Sequence, residues 1–209
     1  MIEAVIFDMD GTLFDSEKLY GHGWMKAGLT KEQYYQLIGR SRTNIDAMLT
    51  EWGYDAAALR KIRSEAVEEE LQRDGVVPKP GALDCLQWLR EHGIPAAIAT
   101  SSAREVADRY LKMNDLETYF SFVVSGNTME RGKPFPDIFL EAARLLNCPP
   151  EHCVVAEDSF NGVRAGRNAG MYTVMIPDLI PADEEMERLA DVILPSLEEL
   201  PAWIQKRMA

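Results

Sequence analysis

Cysteine is scarce in this chain: Cys85, Cys148 and Cys153 are the only three in 209 residues. An odd, sparse set does not make a disulfide framework. Cys148 and Cys153 flank His152, but no second Cys or His cluster completes a tetrahedral zinc site, so buried free thiols are expected. Basic residues are outnumbered, with 22 Lys and Arg against 34 Asp and Glu, for a formal net charge of -12. A field of that sign repels a polyphosphate backbone, so no nucleic acid partner is expected. It also repels small phosphorylated molecules at long range. Any phosphate site must therefore be locally positive, made from a cation, a few basic side chains and backbone N–H groups. No apolar run approaches bilayer-spanning length, so no membrane association is expected. Residues Met1 to Phe7 lack the basic flank of a secretory signal, and the chain reads as cytoplasmic. No repeat, low-complexity tract or dimer motif is present, and a monomer is expected.

What the chain does have is a recurring alternation. Short apolar runs, many of them β-branched, stand at Ala4–Phe7, Pro95–Thr100, Phe122–Val124, Val154–Ala156, Tyr172–Ile176 and, more weakly patterned, Val192–Leu194. Continuous apolar runs of this length suit strands buried on both faces of a parallel sheet. Amphipathic stretches lie between them. Ala82–Glu91 sets Leu83, Leu86 and Leu89-Arg90 on one face. Glu105–Met113 groups Val106, Tyr110 and Met113. Pro136–Leu146 spaces Ile138, Phe139, Ala142, Leu145 and Leu146 helically. Ser159–Ala169 shows a small face of Gly162, Gly166 and Ala169, which lets a helix sit close to a sheet. The alternation predicts an α/β fold, a doubly wound, Rossmann-like parallel sheet with right-handed crossovers. One segment breaks it. From Ser16 to Val77 there are helical patterns, including Thr43–Trp52 and Ala56–Arg73, and no strand pattern. The expected organisation is a core of residues 1–15 and 78–209 with an all-helical insertion at 16–77. The exits are marked by Asp15-Ser16 and by Pro78-Lys79-Pro80-Gly81.

Four polar clusters follow the predicted strands. Asp8-Met9-Asp10-Gly11-Thr12-Leu13 comes directly after the first. Two carboxylates two residues apart face opposite ways on a strand, but a turn made possible by Gly11 can bring both to one site. One can attack phosphorus and bind a hard cation, while the other exchanges a proton with the leaving oxygen. An Asp-Gly turn alone needs no function; DxDGT after an apolar strand is more than a turn requires. Thr100-Ser101-Ser102 ends the second strand, where hydroxyls and N–H groups can hold phosphate oxygens. Helix capping by itself would explain Ser102. Gly132-Lys133-Pro134 places a cation on constrained backbone, able to neutralise nucleophile and phosphate; the plain alternative is a surface lysine. Glu157-Asp158-Ser159 ends another strand and offers oxygen ligands for Mg²⁺, with capping of the next helix as the alternative for Asp158. All four lie at carboxyl ends of strands or in the loops that follow, where ligands bind in open α/β sheets.

At DMDGTL, TSS, GKPFPD and EDSFNGVRAG the sequence resembles the haloacid dehalogenase superfamily, in motif order, from Ile2 to about Ile176. The resemblance is nearest to the group of β-phosphoglucomutase and small sugar-phosphate phosphatases, in which a helical cap follows the first motif. It implies Asp8 as the nucleophile that becomes an aspartyl-phosphate and Asp10 as general acid, then base. It implies Thr100, Ser101 and Lys133 as the grip on the transferring phosphoryl group. Mg²⁺ would be held by Asp8, the carbonyl of Asp10 and Asp158, with Glu157 near or in the shell. In the cap, Leu37-Ile38-Gly39-Arg40-Ser41-Arg42 resembles the group's substrate loop, with Arg42 at the contact position and Arg40 its neighbour. Lys61 and Arg63 are further cationic candidates there, and Trp24 either packs on substrate or fills the core.

The implied reaction is Mg²⁺-dependent hydrolysis of a small phosphorylated metabolite. A mutase of the same group remains the alternative, since Arg42 could grip a second phosphate. The mutase pattern, however, carries a cap His whose register falls here on Tyr20, with His22 two positions away, and the segment Asp15–Gly39 is short for that group. A noncatalytic binding protein on the same fold is a third possibility, opposed by the intact set Asp8, Asp10, Lys133 and Asp158.

Overall fold

The computed structural model describes residues 1–40 and 42–208, apart from the side chain of Asn127. Ser41 of the Arg40–Arg42 loop thus lies outside the described residues. The chain divides into two compact units, one of Met1–Phe14 with Pro78–Ala209 and the other Asp15–Val77.

The first unit is built on six parallel strands: β1 (Ala4–Phe7), β2 (Ala96–Thr100), β3 (Phe120–Ser125), β4 (Cys153–Glu157), β5 (Tyr172–Met175) and β6 (Val192–Ile193). Their order in the sheet is β3-β2-β1-β4-β5-β6, that of a doubly wound fold, which reverses between β1 and β4. Every residue of β1, β2 and β4 is buried, as continuous Val, Ile and Ala runs covered on both faces require. The expectation of burial on both faces fails at β3. It is an edge strand, and Phe122 stays 39% exposed on it. The Arg104 guanidinium donates to the Val123 carbonyl at 3.2 Å, which satisfies one backbone group along that edge.

Helices α5 (Ala82–Glu91), α6 (Arg104–Met113), α7 (Asp137–Leu146) and α8 (Phe160–Asn168) connect the strands. Two of the expected apolar stripes are corrected. On α5 the buried residues are Ala82, Cys85, Leu86 and Leu89, and Leu83 is exposed. The i, i+3, i+4, i+7 series starts at a small residue, and Leu83 is turned about 100° away from it. On α6 the buried residues are Ala107, Tyr110 and Leu111, with Met113 exposed. The α7 stripe of Ile138, Phe139, Ala142 and Ala143 is buried against the sheet, with Leu145 and Leu146 packed at its margin.

The second unit contains α1 (Ser16–Lys26), α2 (Lys31–Leu37), α3 (Arg42–Glu51) and α4 (Ala56–Asp74), and no strand among its described residues. Leu19, Trp24, Tyr34, Leu49, Val67 and Leu71 are among its buried side chains. Local chemistry sets its helix starts. Thr30 and Gln33 form a reciprocal capping box on α2, and the Asp55 carboxylate accepts from the Ala58 N–H at 3.0 Å to begin α4.

Candidate active site

The sheet reverses direction between β1 and β4, and there the carboxyl end of each strand delivers an acid. Asp8 follows β1, and its N–H donates to the Ala156 carbonyl at 2.9 Å, continuing the ladder one residue past the strand. Glu157 ends β4 and Asp158 follows it. Between them enters Lys133, from the loop before α7, through a cis bond to Pro134. Its ammonium donates to Asp8 Oδ1 at 2.5 Å, to Glu157 Oε1 at 2.6 Å and to the Ala99 carbonyl at 3.0 Å. All three donors of the ammonium are thereby used. With a side chain only 6% exposed, Lys133 is not the surface lysine that the sequence also allowed.

Burial is the largest influence on both partners, and it acts against both charges. It lifts the Asp8 carboxyl well above the usual carboxylate range. Lys133 partly opposes that, while the nearby charges of Glu157 and Asp10 reinforce it. Burial pulls the Lys133 ammonium down, but Asp8 and Glu157 more than reverse this, and its pKa is raised overall. Lys133 therefore stays charged and acts as a fixed counter-ion rather than a proton donor.

The acids are also placed to take a cation. Oxygens of Asp8, Glu157 and Asp158 lie within 4.8 Å of one another, and all three residues are buried. Three acids beside one ammonium, which engages only Asp8 and Glu157, form a hard-oxygen cluster short of positive charge, which fits a small divalent ion of the Mg²⁺ class. The three acids are held differently. Glu157 Oε1 is engaged by Lys133, and Oε2 accepts from both the N–H and the hydroxyl of Ser159 at 2.9 Å each. Its oxygens are largely occupied by donors, so it serves the site first by anchoring Lys133. Asp158 Oδ1 accepts from the buried Thr12 hydroxyl at 3.1 Å. Capping does not explain Asp158, because Ser159 caps α8 by accepting from the Gly162 N–H. Two glycines are required by the crowding. Gly11 has φ +82, and a Cβ there would run into the Asp158 carboxylate; a Cβ on Gly162 would run into that of Glu157.

Asp10 turns toward β2. Its Oδ2 accepts from the Ser102 hydroxyl at 2.6 Å. Ser102 is therefore not the cap of α6; the residue at that position is Ala103, which has no capping side chain. Thr100 is fully buried and its hydroxyl oxygen accepts from the Ser102 N–H at 3.0 Å, while Ser101 is exposed. Thr12, Ser102 and Ser159 are the site residues that sequence reasoning passed over or explained by capping. Each stands inside a quoted motif, and a hydroxyl next to a carboxylate was the available signal. A partly buried ion pair, Lys79 to Asp178 at 2.5 Å, had no signal, since 99 residues separate the partners.

The second unit holds a cleft of about 560 Å³ bordered by Trp24, Arg42, Arg60, Lys61 and Arg63, among others. Arg42 is exposed at this cleft, whereas Arg40 is not among its lining residues and donates back to α2 at the Gln36 carbonyl. Arg60 pairs with Asp46, and Lys61 lies 3.9 Å from Glu65. The Arg63 guanidinium stacks 4.3 Å above the Tyr20 ring and also faces Trp24 at 5.8 Å. Trp24 is buried and borders the cleft as well. His22 is bonded to Glu70 at 2.9 Å. Among the cysteines, Cys85 and Cys153 are buried free thiols, with Cys85 pushed up to about 12 by burial. Cys148 is only half-buried, because it follows the end of α7 rather than lying within a strand.

A family model described as haloacid dehalogenase-like hydrolase matches residues 2–170. The chain is 33% identical to a phosphorylated carbohydrates phosphatase of Thermotoga maritima, over 83% of this chain and 84% of that protein. It is 33% identical to hexitol phosphatase A of Escherichia coli, covering 95% and 93%. The crystal structure of CbbY from Rhodobacter sphaeroides, in complex with phosphate, superposes with a TM-score of 0.82 at 27% identity, covering 96% of each chain. Motifs that converge on a buried Asp–Lys–Glu–Asp cluster, a 3-2-1-4-5-6 sheet and a family match across most of the chain lead to one assignment: this protein belongs to the haloacid dehalogenase-like hydrolases.

Proposed function

We propose that this hydrolase is a Mg²⁺-dependent phosphatase acting on a small phosphorylated sugar, sugar alcohol or related metabolite through an aspartyl-phosphate on Asp8. The carrying observation is the Lys133 ammonium clamped between Asp8 and Glu157 beside Asp158. A nucleophilic carboxylate has to meet an anionic phosphoryl group, and a fixed cation beside it lowers that repulsion. Asp8 Oδ attacks phosphorus as the ester oxygen leaves and takes a proton from Asp10. Water then attacks the aspartyl-phosphate, Asp10 recovers a proton from it, and inorganic phosphate leaves. Asp8, Asp158 and the Asp10 carbonyl would hold the ion, with Glu157 beside them; when bound, it supplies charge neutralisation for the transferring group. Thr100 and Ser101 are assigned with Lys133 to the phosphoryl oxygens. Arg42, with Arg40 as its neighbour, is assigned to the remainder of the substrate.

The names of the two phosphatase relatives support a carbohydrate-type substrate. No helix among the described residues is long and apolar enough to cross a membrane, and we place the enzyme in the cytoplasm as a monomer. Phosphate release should be measured with Mg²⁺ over a panel that includes sorbitol 6-phosphate, glycerol 1-phosphate and β-glucose 1-phosphate. Turnover of at least one alkyl phosphate, abolished by EDTA and restored by Mg²⁺, is expected. Turnover indifferent to both would remove the metal. The cationic cleft favours one second reading, a phosphosugar mutase with a distal phosphate grip. Against it, Tyr20 stands at the register of the mutase histidine and is occupied by stacking with Arg63. Free phosphate from β-glucose 1-phosphate supports hydrolysis; glucose 6-phosphate would establish the mutase.

A further inference from the structure

The carboxylate of Asp10 is the one acidic group of the DxD motif that Lys133 does not engage among the bonds described above. Its Oδ2 accepts from the Ser102 hydroxyl at 2.6 Å. Ser102 is itself held on both sides. Its N–H donates to the Thr100 hydroxyl oxygen at 3.0 Å, and its carbonyl accepts from the Ser125 hydroxyl at 2.6 Å. Ser125 ends β3 and is 4% exposed. Hydroxyls thus link the carboxyl ends of three adjacent strands, β3, β2 and β1, and the line ends on Asp10. None of this is needed for helix α6, whose capping position is Ala103.

We propose that Ser102 is a positioning residue for Asp10, that it fixes the carboxylate for proton exchange with the ester oxygen, and that Ser125 supports it from behind. The inference rests on the reading of Asp10 as the proton-exchanging group. A carboxylate on a short side chain can rotate about two bonds, and proton transfer requires a heavy-atom approach of hydrogen-bond length along a defined line. A donor held by its own backbone bonds at both N–H and C=O removes that rotation before substrate arrives. In the first half-reaction the bond from phosphorus to the ester oxygen breaks, the bond from phosphorus to Asp8 forms, and the proton of Asp10 goes to the departing oxygen. In the second, one proton of water goes to Asp10, and the oxygen of water replaces Asp8 on phosphorus.

The test compares leaving groups. A departing alkoxide needs the proton, while a departing dinitrophenolate does not. Ser102→Ala, Ser102→Thr, Ser125→Ala and Asp10→Asn would be assayed in the first turnover, with sorbitol 6-phosphate and with 2,4-dinitrophenyl phosphate. For Ser102→Ala, the rate on the alkyl ester should fall roughly tenfold more than on the aryl ester, with KM within about twofold. Ser102→Thr, which restores the hydroxyl, should recover most of the loss, and Ser125→Ala should show the same pattern more weakly. An equal fall on both esters, or no fall on either, would overturn the positioning role. Asp10→Asn separates the two layers. If it shows the leaving-group-dependent loss and Ser102→Ala does not, the Ser102 inference alone fails. If Asp10→Asn shows none, the assignment of Asp10 fails and takes this inference with it.

Discussion

The charged residues assigned to function in the two units are held in opposite ways. In the sheet unit, Asp8, Lys133 and Glu157 are buried and fasten one another at hydrogen-bond length, with Asp158 beside them. In the helical unit, Arg42 and Lys61 are exposed at an open cleft, and Lys61 meets its acid at only 3.9 Å. Buried polar groups must be fully satisfied, so their geometry is over-determined, and removing one leaves the others stranded. Exposed charges are screened, and their replacement costs the fold little. Under the proposed function, chemistry belongs to the sheet unit and choice of ligand to the helical one.

That contrast can be broken or sharpened by substitution. The largest effect is expected for Asp8→Asn: a loss of turnover of roughly 10⁴-fold or more, with thermal stability little changed, because the amide oxygen can still accept from Lys133 while one buried charge is gone. A variant that kept its activity would remove the nucleophile. Lys133→Ala should come next, failing in both respects. Turnover should collapse, and denaturant unfolding should show a stability loss of about 3–5 kcal/mol, since two buried carboxylates lose their counter-ion. A small stability change would show that the acids reach water in its absence. Gly162→Ala should cost about 1–3 kcal/mol from overpacking and lower kcat by displacing Glu157 from Lys133; a silent variant would mean that α8 shifts freely. Smallest, Arg42→Ala and Lys61→Ala should leave kcat and melting temperature nearly unchanged while raising KM, by about tenfold at Arg42. A kcat effect there would move chemistry into the helical unit.

Much of the sheet unit was legible because its signals are local. Continuous apolar runs predicted the strands, and a motif after each strand predicted where side chains would converge, since strand ends meet in this topology whatever the loops do. Edge exposure was not legible: Phe122 sits in as apolar a run as Val155, and only strand order distinguishes them. Nor is the phase of a short helix stripe legible when its first buried residue is small, as where Ala82 rather than Leu83 begins the buried face of α5. Within the site, the charged residues announced themselves, but Ser102, Ser159 and Thr12 did not. Their hydroxyls act through distances that only folding creates, 2.6 Å from Ser102 to an acid 92 residues away. The helical unit was legible as helices, yet which of its cations border a cleft required coordinates; Arg40 and Arg42 are alike in sequence and unlike in place.

Everything assigned to the sheet unit depends on phosphorus passing through the side chain of residue eight. Enzyme mixed with ³²P-labelled sorbitol 6-phosphate and Mg²⁺, quenched in acid within the first turnover and mapped by peptide, should carry label on the segment containing Asp8, in a hydroxylamine-sensitive form. Full turnover with label on another residue, or on none at any quench time, would contradict it.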